Sequence, residues 1–197
     1  MTETENETKP NTRGTNRERI LRAALEIISR KGVDKVTHRA VANLASVSPG
    51  TTTYHFTTRE DLVRQAFALY IDDYQKSLVS VLTRKPVSTR EDLIQFLTSM
   101  TTLTPDDIGL EAIEYEMLLF ATRDDSLRMQ VAAWSRTLES WLSDPLESLG
   151  APRPLEAARM LMALSRGSEF EVLSRQQQLG QAQFERRLGT IVDAILR

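Results

Sequence analysis

Three helix-start signals crowd into residues 37–58. Thr37, Ser48 and Thr58 each stand where a side-chain oxygen can cap a helix. Capping points this close together predict two helices of about two turns each, over 38–45 and from Pro49 to about 54–56, before a fourth helix opens at 59. Pro49 suits a first helical position, where the missing N–H has no role. Helices that short are marginal alone, so they must lie on a neighbour. The neighbour is an amphipathic stretch over 17–31, with Ile20, Ala24, Ile27 and Ile28 at helical spacing and Gly32 as its stop. A long helix followed by two short ones across the Ser46-Val47 turn is the helix-turn-helix layout, whose last helix enters the DNA major groove.

The rest of the chain repeats the helical period. Without a proline before Pro86, a helix is expected over 59–84. Ser88 and Glu91 form a capping box for a helix to about 103. Further helices are expected over 110–122, 126–142 and 155–179, and over 181–196. Asp144-Pro145 should start a short helix or a kinked continuation to 149, and Gly150, Pro152 and Pro154 a loop. No alternating β-branched run and no Asn-Gly or Asp-Gly hairpin signal occurs, so an all-α chain is predicted. Residues 1–15 are polar and read as a disordered tail.

Charge divides the chain. Residues 9–59 carry ten bases and three acids, against an overall net charge of −2. A basic segment in an acidic chain points to a polyanion partner. The longest apolar run has five residues, far short of the roughly 20 that a membrane span needs. The first fifteen residues lack the apolar core of a secretory signal. There is no cysteine, hence no disulfide and no thiolate metal site. A cytoplasmic location is the simplest fit.

On the second short helix, Gly50, Thr51, Thr52 and Thr53 make a slim face. Threonine hydroxyls can bond base edges, and threonine methyls can touch a thymine methyl. Thr37, Tyr54, His55 and Arg59, at helix ends, suit phosphate contacts, and Phe56 reads as a structural plug. The segment 17–65 closely resembles the DNA-binding domain of the tetracycline-repressor (TetR) family. The likeness includes Gly32, Thr37, Val41-Ala42, Val47-Ser48, Gly50-Thr51, Tyr54-His55-Phe56 and the span from Arg59 to Leu62. It implies backbone contacts by Thr37, Tyr54, His55 and Arg59, and base contacts by Gly50 and Thr51 to Thr53.

Three positions depart from the family pattern. Ser46 stands where glycine is common, and a left-handed residue there would cost about 1 kcal/mol. Thr52 replaces an apolar Leu, and Pro49 replaces a base. DNA affinity is therefore expected to lean on Arg39, Arg59 and the arm bases Lys9, Arg13 and Arg17.

The resemblance implies a division into a tail (1–15), a helix-turn-helix DNA-binding domain (16–60) and a bundle (61–197) for ligand binding and dimerisation. In the bundle, Phe67, Tyr70, Phe96, Met100, Tyr115, Leu118, Trp134, Trp141, Met160 and Leu164 are either core or the lining of a cavity for a small apolar or amphipathic effector. Among the nearby acids, Glu111 and Glu114 share a face and Glu116 is rotated off it. They read as a solvated acidic face, with a contact to a cationic ligand as the alternative. The last two helices carry apolar stripes, Leu161, Leu164, Phe170 and Leu173, then Phe184, Leu188, Ile191 and Ile195. Family resemblance implies that these helices pair with their copies in a homodimer reading a palindromic operator on double-stranded DNA; packing within one chain is the other reading.

A ligand-modulated DNA-binding regulator, most simply a repressor, therefore leads. A binding protein that has lost its DNA contacts is the alternative. An all-α metal enzyme is disfavoured: neither His38 nor His55 has a Glu three residues before it, and no phosphate-binding glycine loop occurs. No cofactor or metal is expected.

Overall fold

The computed structural model describes residues 15–101, 108–175 and 181–197, apart from the side chains of 100, 101, 108–111, 172, 173 and 175. Residues 1–14 of the expected tail and the side chains of Met100 and Leu173 therefore lie outside what is described. Every described element is helical: α1 (Asn16–Lys31), a 3-10 turn (Val33–Lys35), α2 (His38–Leu44), α3 (Pro49–His55), α4 (Arg59–Arg84), α5 (Arg90–Thr101), α6 (Ile108–Ala121), α7 (Asp125–Ser148), α8 (Pro154–Arg175) and α9 (Gln181–Ile195).

Helix starts follow the chemistry of their caps. The side-chain oxygens of Thr15, Thr37, Ser48, Thr58 and Asp124 each accept an amide N–H from the first turn of α1, α2, α3, α4 and α7. The start of α5 differs from expectation in its cap. Helix α5 is capped one residue later than predicted, by a reciprocal pair in which Asp92 N–H donates to Thr89 Oγ1 and Thr89 N–H donates to Asp92 Oδ2, both at 3.1 Å. Helix α7 runs on through Pro145, which is the continuation rather than the separate short helix among the two readings of Asp144-Pro145. It ends after Ser148, where Gly150 (φ 87°) lets Ala151 N–H reach Leu146 O and Gly150 N–H reach Glu147 O, each at 2.9 Å.

Packing produces two apolar clusters. The first joins α1, α2, α4, α6 and α7 without interruption, from Ile20, Ile28 and Phe56 through Phe67 and Met117 to Trp134 and Leu138. The helix-turn-helix head thus shares its core with the body. The second joins α5, α8 and α9 with the end of α7, around Leu93, Leu146, Leu161, Phe184 and Leu188. Arg64 ties α4 to α7 by a bond of 2.9 Å from its guanidinium to Asp124. That contact holds the Asp124 carboxyl below the usual carboxylate range.

Several bundle expectations change here. Phe67, Tyr70 and Trp134 are buried in the first cluster, with Tyr70 and Trp134 edge-to-face at 6.4 Å. They pack the core and are not in the lining of the body cavity described below. Leu161, Phe184 and Leu188 are fully buried within their own chain, and Ile191, Ile195 and Leu164 pack against the same second cluster. These residues stabilise the protomer, because α9 lies on α5. Met160 points outward at 60 % exposure, as does Phe170 at 58 %. An apolar period identifies a face but not what covers it.

Candidate nucleic-acid interface and bundle cavity

The head presents one outward surface from α2 and α3. Thr37, Arg39, Ser48, Pro49, Gly50, Thr53 and Tyr54 are exposed, and Thr51 and His55 are half-exposed. Tyr54 is 86 % exposed, an unusual state for a large ring. Its ring meets His55 edge-on at 5.2 Å. Arg39 makes no ion pair among the described residues, so its charge faces solvent. Thr37 and Ser48 each spend one side-chain lone pair on a cap.

Two expected contacts turn inward. Thr52 is completely buried, its hydroxyl donating to Pro49 O at 2.7 Å. That bond satisfies the hydroxyl in the place of an apolar residue, and it removes Thr52 from the surface. Arg59 also looks inward. Its Nε donates to Val36 O at 2.9 Å and its Nη2 to Val33 O at 2.6 Å. The guanidinium thus fastens the turn between α1 and α2 to the start of α4. Phe56 is wholly buried, the plug expected of it, beneath the Arg17 guanidinium at 5.8 Å.

The turn between α2 and α3 is closed by Ser46 at φ 53°, so the serine adopts the left-handed conformation despite its cost. Arg19, on α1, donates to Ala45 O at 2.5 Å and to Ser46 O at 3.4 Å. A long side chain from the supporting helix thereby braces the strained turn.

The body holds a cavity of about 90 Å³ on the seam between the two clusters. Tyr74, Leu78 and Leu82 of α4 form one wall, with Phe96 and Leu97 of α5. Leu138, Trp141 and Leu142 of α7 form another. The polar wall is Glu114 of α6 with Ser165, Arg166 and Glu169 of α8. Of the aromatic and apolar residues singled out in the sequence, Phe96 and Trp141 are in this lining. Tyr115 and Leu118 are half-buried elsewhere on α6. The Tyr115 hydroxyl donates to Arg166 O at 2.6 Å.

Glu114 is the largest surprise. Read from the sequence as part of a solvated acidic face, it is 7 % exposed, and Arg166 Nε donates to its Oε1 at 3.2 Å. Burial pushes its carboxyl above the usual range despite the guanidinium. The apolar neighbours Ile113 and Met117 were the available signal, because a residue between two core positions shares their side of the helix. Nothing in the sequence marks Ser165 or Arg166.

A pair of short helices on a bracing helix, fused to a cavity-bearing helical bundle, defines a class: helix-turn-helix regulators with a helical body. Comparison with known proteins narrows it. A profile of bacterial regulatory proteins of the tetR family matches residues 20–66, and a tetracyclin repressor-like C-terminal domain matches 88–197. The chain belongs to the TetR family.

The transcriptional regulator UidR of Escherichia coli K12 is 30 % identical over 117 residues, 59 % of this chain and 55 % of UidR. The match thus spans about half the length of that curated relative. A transcriptional regulator of Rhodococcus sp. Rha1 superposes with a TM-score of 0.80 over 92 % of this chain and 96 % of that one, at 21 % identity, which shows the shared fold. The multidrug binding protein EbrR, solved with ethidium, is 28 % identical with a TM-score of 0.68, covering 90 % of this chain and 98 % of EbrR. Among the described residues, no helix is long and apolar enough to cross a membrane.

Proposed function

We propose that this chain is a homodimeric, sequence-specific DNA-binding transcriptional regulator, most simply a repressor in the cytoplasm, whose operator binding is modulated by a small molecule in the body cavity. The observation that carries the reading is the α2–α3 surface. It is slim and polar, and it places the unpaired Arg39 and the outward Tyr54 on either side of Gly50, Thr51 and Thr53. Thr37, Tyr54, His55 and Arg39 suit phosphate contacts, and Gly50, Thr51 and Thr53 suit base edges. Thr52 and Arg59 serve as supports of that surface. The division at about residue 60 is functional, since the apolar core crosses it.

Two heads related by a two-fold would read a palindrome. For the dimer face, the outward stripe of α8 is favoured over the buried residues of α9. Met160, Ala163, Gly167 and Phe170 fall on one exposed side of that helix. An effector in the cavity is supported by the lining itself and by EbrR, a relative whose solved complex holds ethidium.

Fluorescence anisotropy on promoter-length duplexes tests the reading. Tyr54→Ala and Arg39→Ala should weaken specific binding at least tenfold with unchanged thermal unfolding. Apparent affinity should fall steeply between 50 and 200 mM salt, as expected for about six or more phosphate contacts. Binding that ignores both substitutions and salt would leave the chain as a small-molecule-binding protein without DNA contacts.

A further inference from the structure

The polar wall of the cavity is unbalanced in a way that selects ligands. Glu114 sits on α6 with a buried carboxylate, and its ion-pair partner, Arg166, comes from α8 with a side chain 32 % exposed. One member of the pair is fixed inside and the other can swing outward. The space left beside them is about 90 Å³, small against the roughly 300–1,000 Å³ of ordinary ligand sites. A ligand of more than a few heavy atoms needs the volume that the Arg166 side chain fills.

Displacing Arg166 has an electrostatic consequence. A buried carboxylate stripped of its partner is strongly unfavourable. A neutral ligand would leave Glu114 either stranded or forced to take up a proton, and an anion would add repulsion. A cation restores neutrality. The other walls agree: Tyr74, Phe96 and Trp141 put aromatic rings in the lining, the side-chain type that favours an apolar cation. Ser165 Oγ, buried and without a hydrogen-bond partner, offers one polar contact.

We propose that the cavity selects a hydrophobic organic cation, which replaces the Arg166 guanidinium at the Glu114 carboxylate and turns the arginine out to solvent. Arg166 is then an internal competitor that keeps the empty cavity neutral. The inference rests on the effector-binding reading above and adds the charge of the ligand and the residue it displaces.

Phenyltrimethylammonium and its neutral isostere tert-butylbenzene separate charge from shape. Binding to the full chain is measured by calorimetry and by the fluorescence of Trp141 and Trp134, with operator affinity followed in the same samples. The cation should bind at least tenfold tighter than the isostere. Glu114→Gln, which keeps shape and removes charge, should abolish that preference. Arg166→Met should strengthen cation binding severalfold, whereas an arginine that merely holds the fold would weaken it.

Equal affinity for both probes in the wild-type chain overturns the proposal, and so does a preference that survives Glu114→Gln. Absence of binding by either probe to the wild-type chain and to Arg166→Met also overturns it. Glu114→Gln decides the matter even if Arg166→Met does not fold. A neutral isostere that binds as tightly as the cation and shifts operator affinity would retain the effector reading while removing the cation. Lack of operator binding by the wild-type chain would remove the regulator reading while leaving cation selectivity measurable.

Discussion

The head and the cavity are built by opposite means. In the head, geometry comes from local bonds: Thr37 and Ser48 cap, Ser46 turns, and Arg19 and Arg59 hold carbonyls that are next to those turns. In the cavity, geometry comes from five long helices meeting, and no single short segment contains it. The first kind of site is specified by residue types in sequence order. The second is specified by packing between residues up to about a hundred positions apart. The first should therefore fail at individual residues, and the second should tolerate change until a charge is stranded.

The largest expected effect is at Phe56, whose buried ring is the plug where the head meets α4. Phe56→Ala should cost about 3–5 kcal/mol, read as a large drop in the thermal midpoint together with loss of DNA binding. A drop confined to DNA binding would show that the head folds independently of the body. The pair Arg59 and Arg39 sharpens the contrast within the head. Arg59→Ala removes two charge-assisted bonds to carbonyls and should cost about 2 kcal/mol of stability. Arg39→Ala should leave stability within about 0.5 kcal/mol and reduce the salt slope of DNA binding by about one for each protomer. Exchanged outcomes would return Arg59 to the phosphate-binding set.

Asp124 tests the join between head and body. Its carboxyl titrates below the ordinary range because Arg64 bonds its ionised form. The stabilisation is therefore present above the ordinary aspartate range, near pH 4, and is lost as pH falls through the lower folded value. Asp124→Asn should destabilise by about 1–3 kcal/mol at neutral pH, and the gap to the wild type should close in acid. Absence of a gap at neutral pH would mean that the capping bond from Leu127 N–H, which Asn can also accept, dominates the site. The smallest effect is at Ser46. Ser46→Gly relieves the left-handed strain and should stabilise by up to about 1 kcal/mol; a loss would show that Arg19 depends on the serine backbone being held stiffly.

The same contrast explains what the sequence made legible. The starts of α2, α3 and α4 were readable because a cap and its acceptor lie within three residues. Ser88 and Thr89 both precede an acid by three positions, Glu91 and Asp92, and only the fold decides which of them caps α5. Thr52 looked like part of a polar face because threonine is polar, yet its hydroxyl is satisfied inside its own helix. In α8, Met160 and Leu161 are neighbours with opposite fates, one outward and one buried. A phase error of about 100° suffices to exchange them. The cavity was only foreshadowed, through Phe96 and Trp141, since its polar wall needs α6 and α8 side by side.

Helix α4 carries a mechanical consequence. It spans 26 residues, about 39 Å at 1.5 Å per residue. Its first turn is fastened to the head by Arg59, while Tyr74, Leu78 and Leu82 further along form cavity wall. For a rod of that length pivoting near its far end, a tilt of about 3° moves the near tip by about 2 Å. A shift of that size is comparable to the gap between a hydrogen bond made and one broken. Crowding inside the bundle can thus be read out as a change of aim at the DNA, with no part of the head needing to unfold.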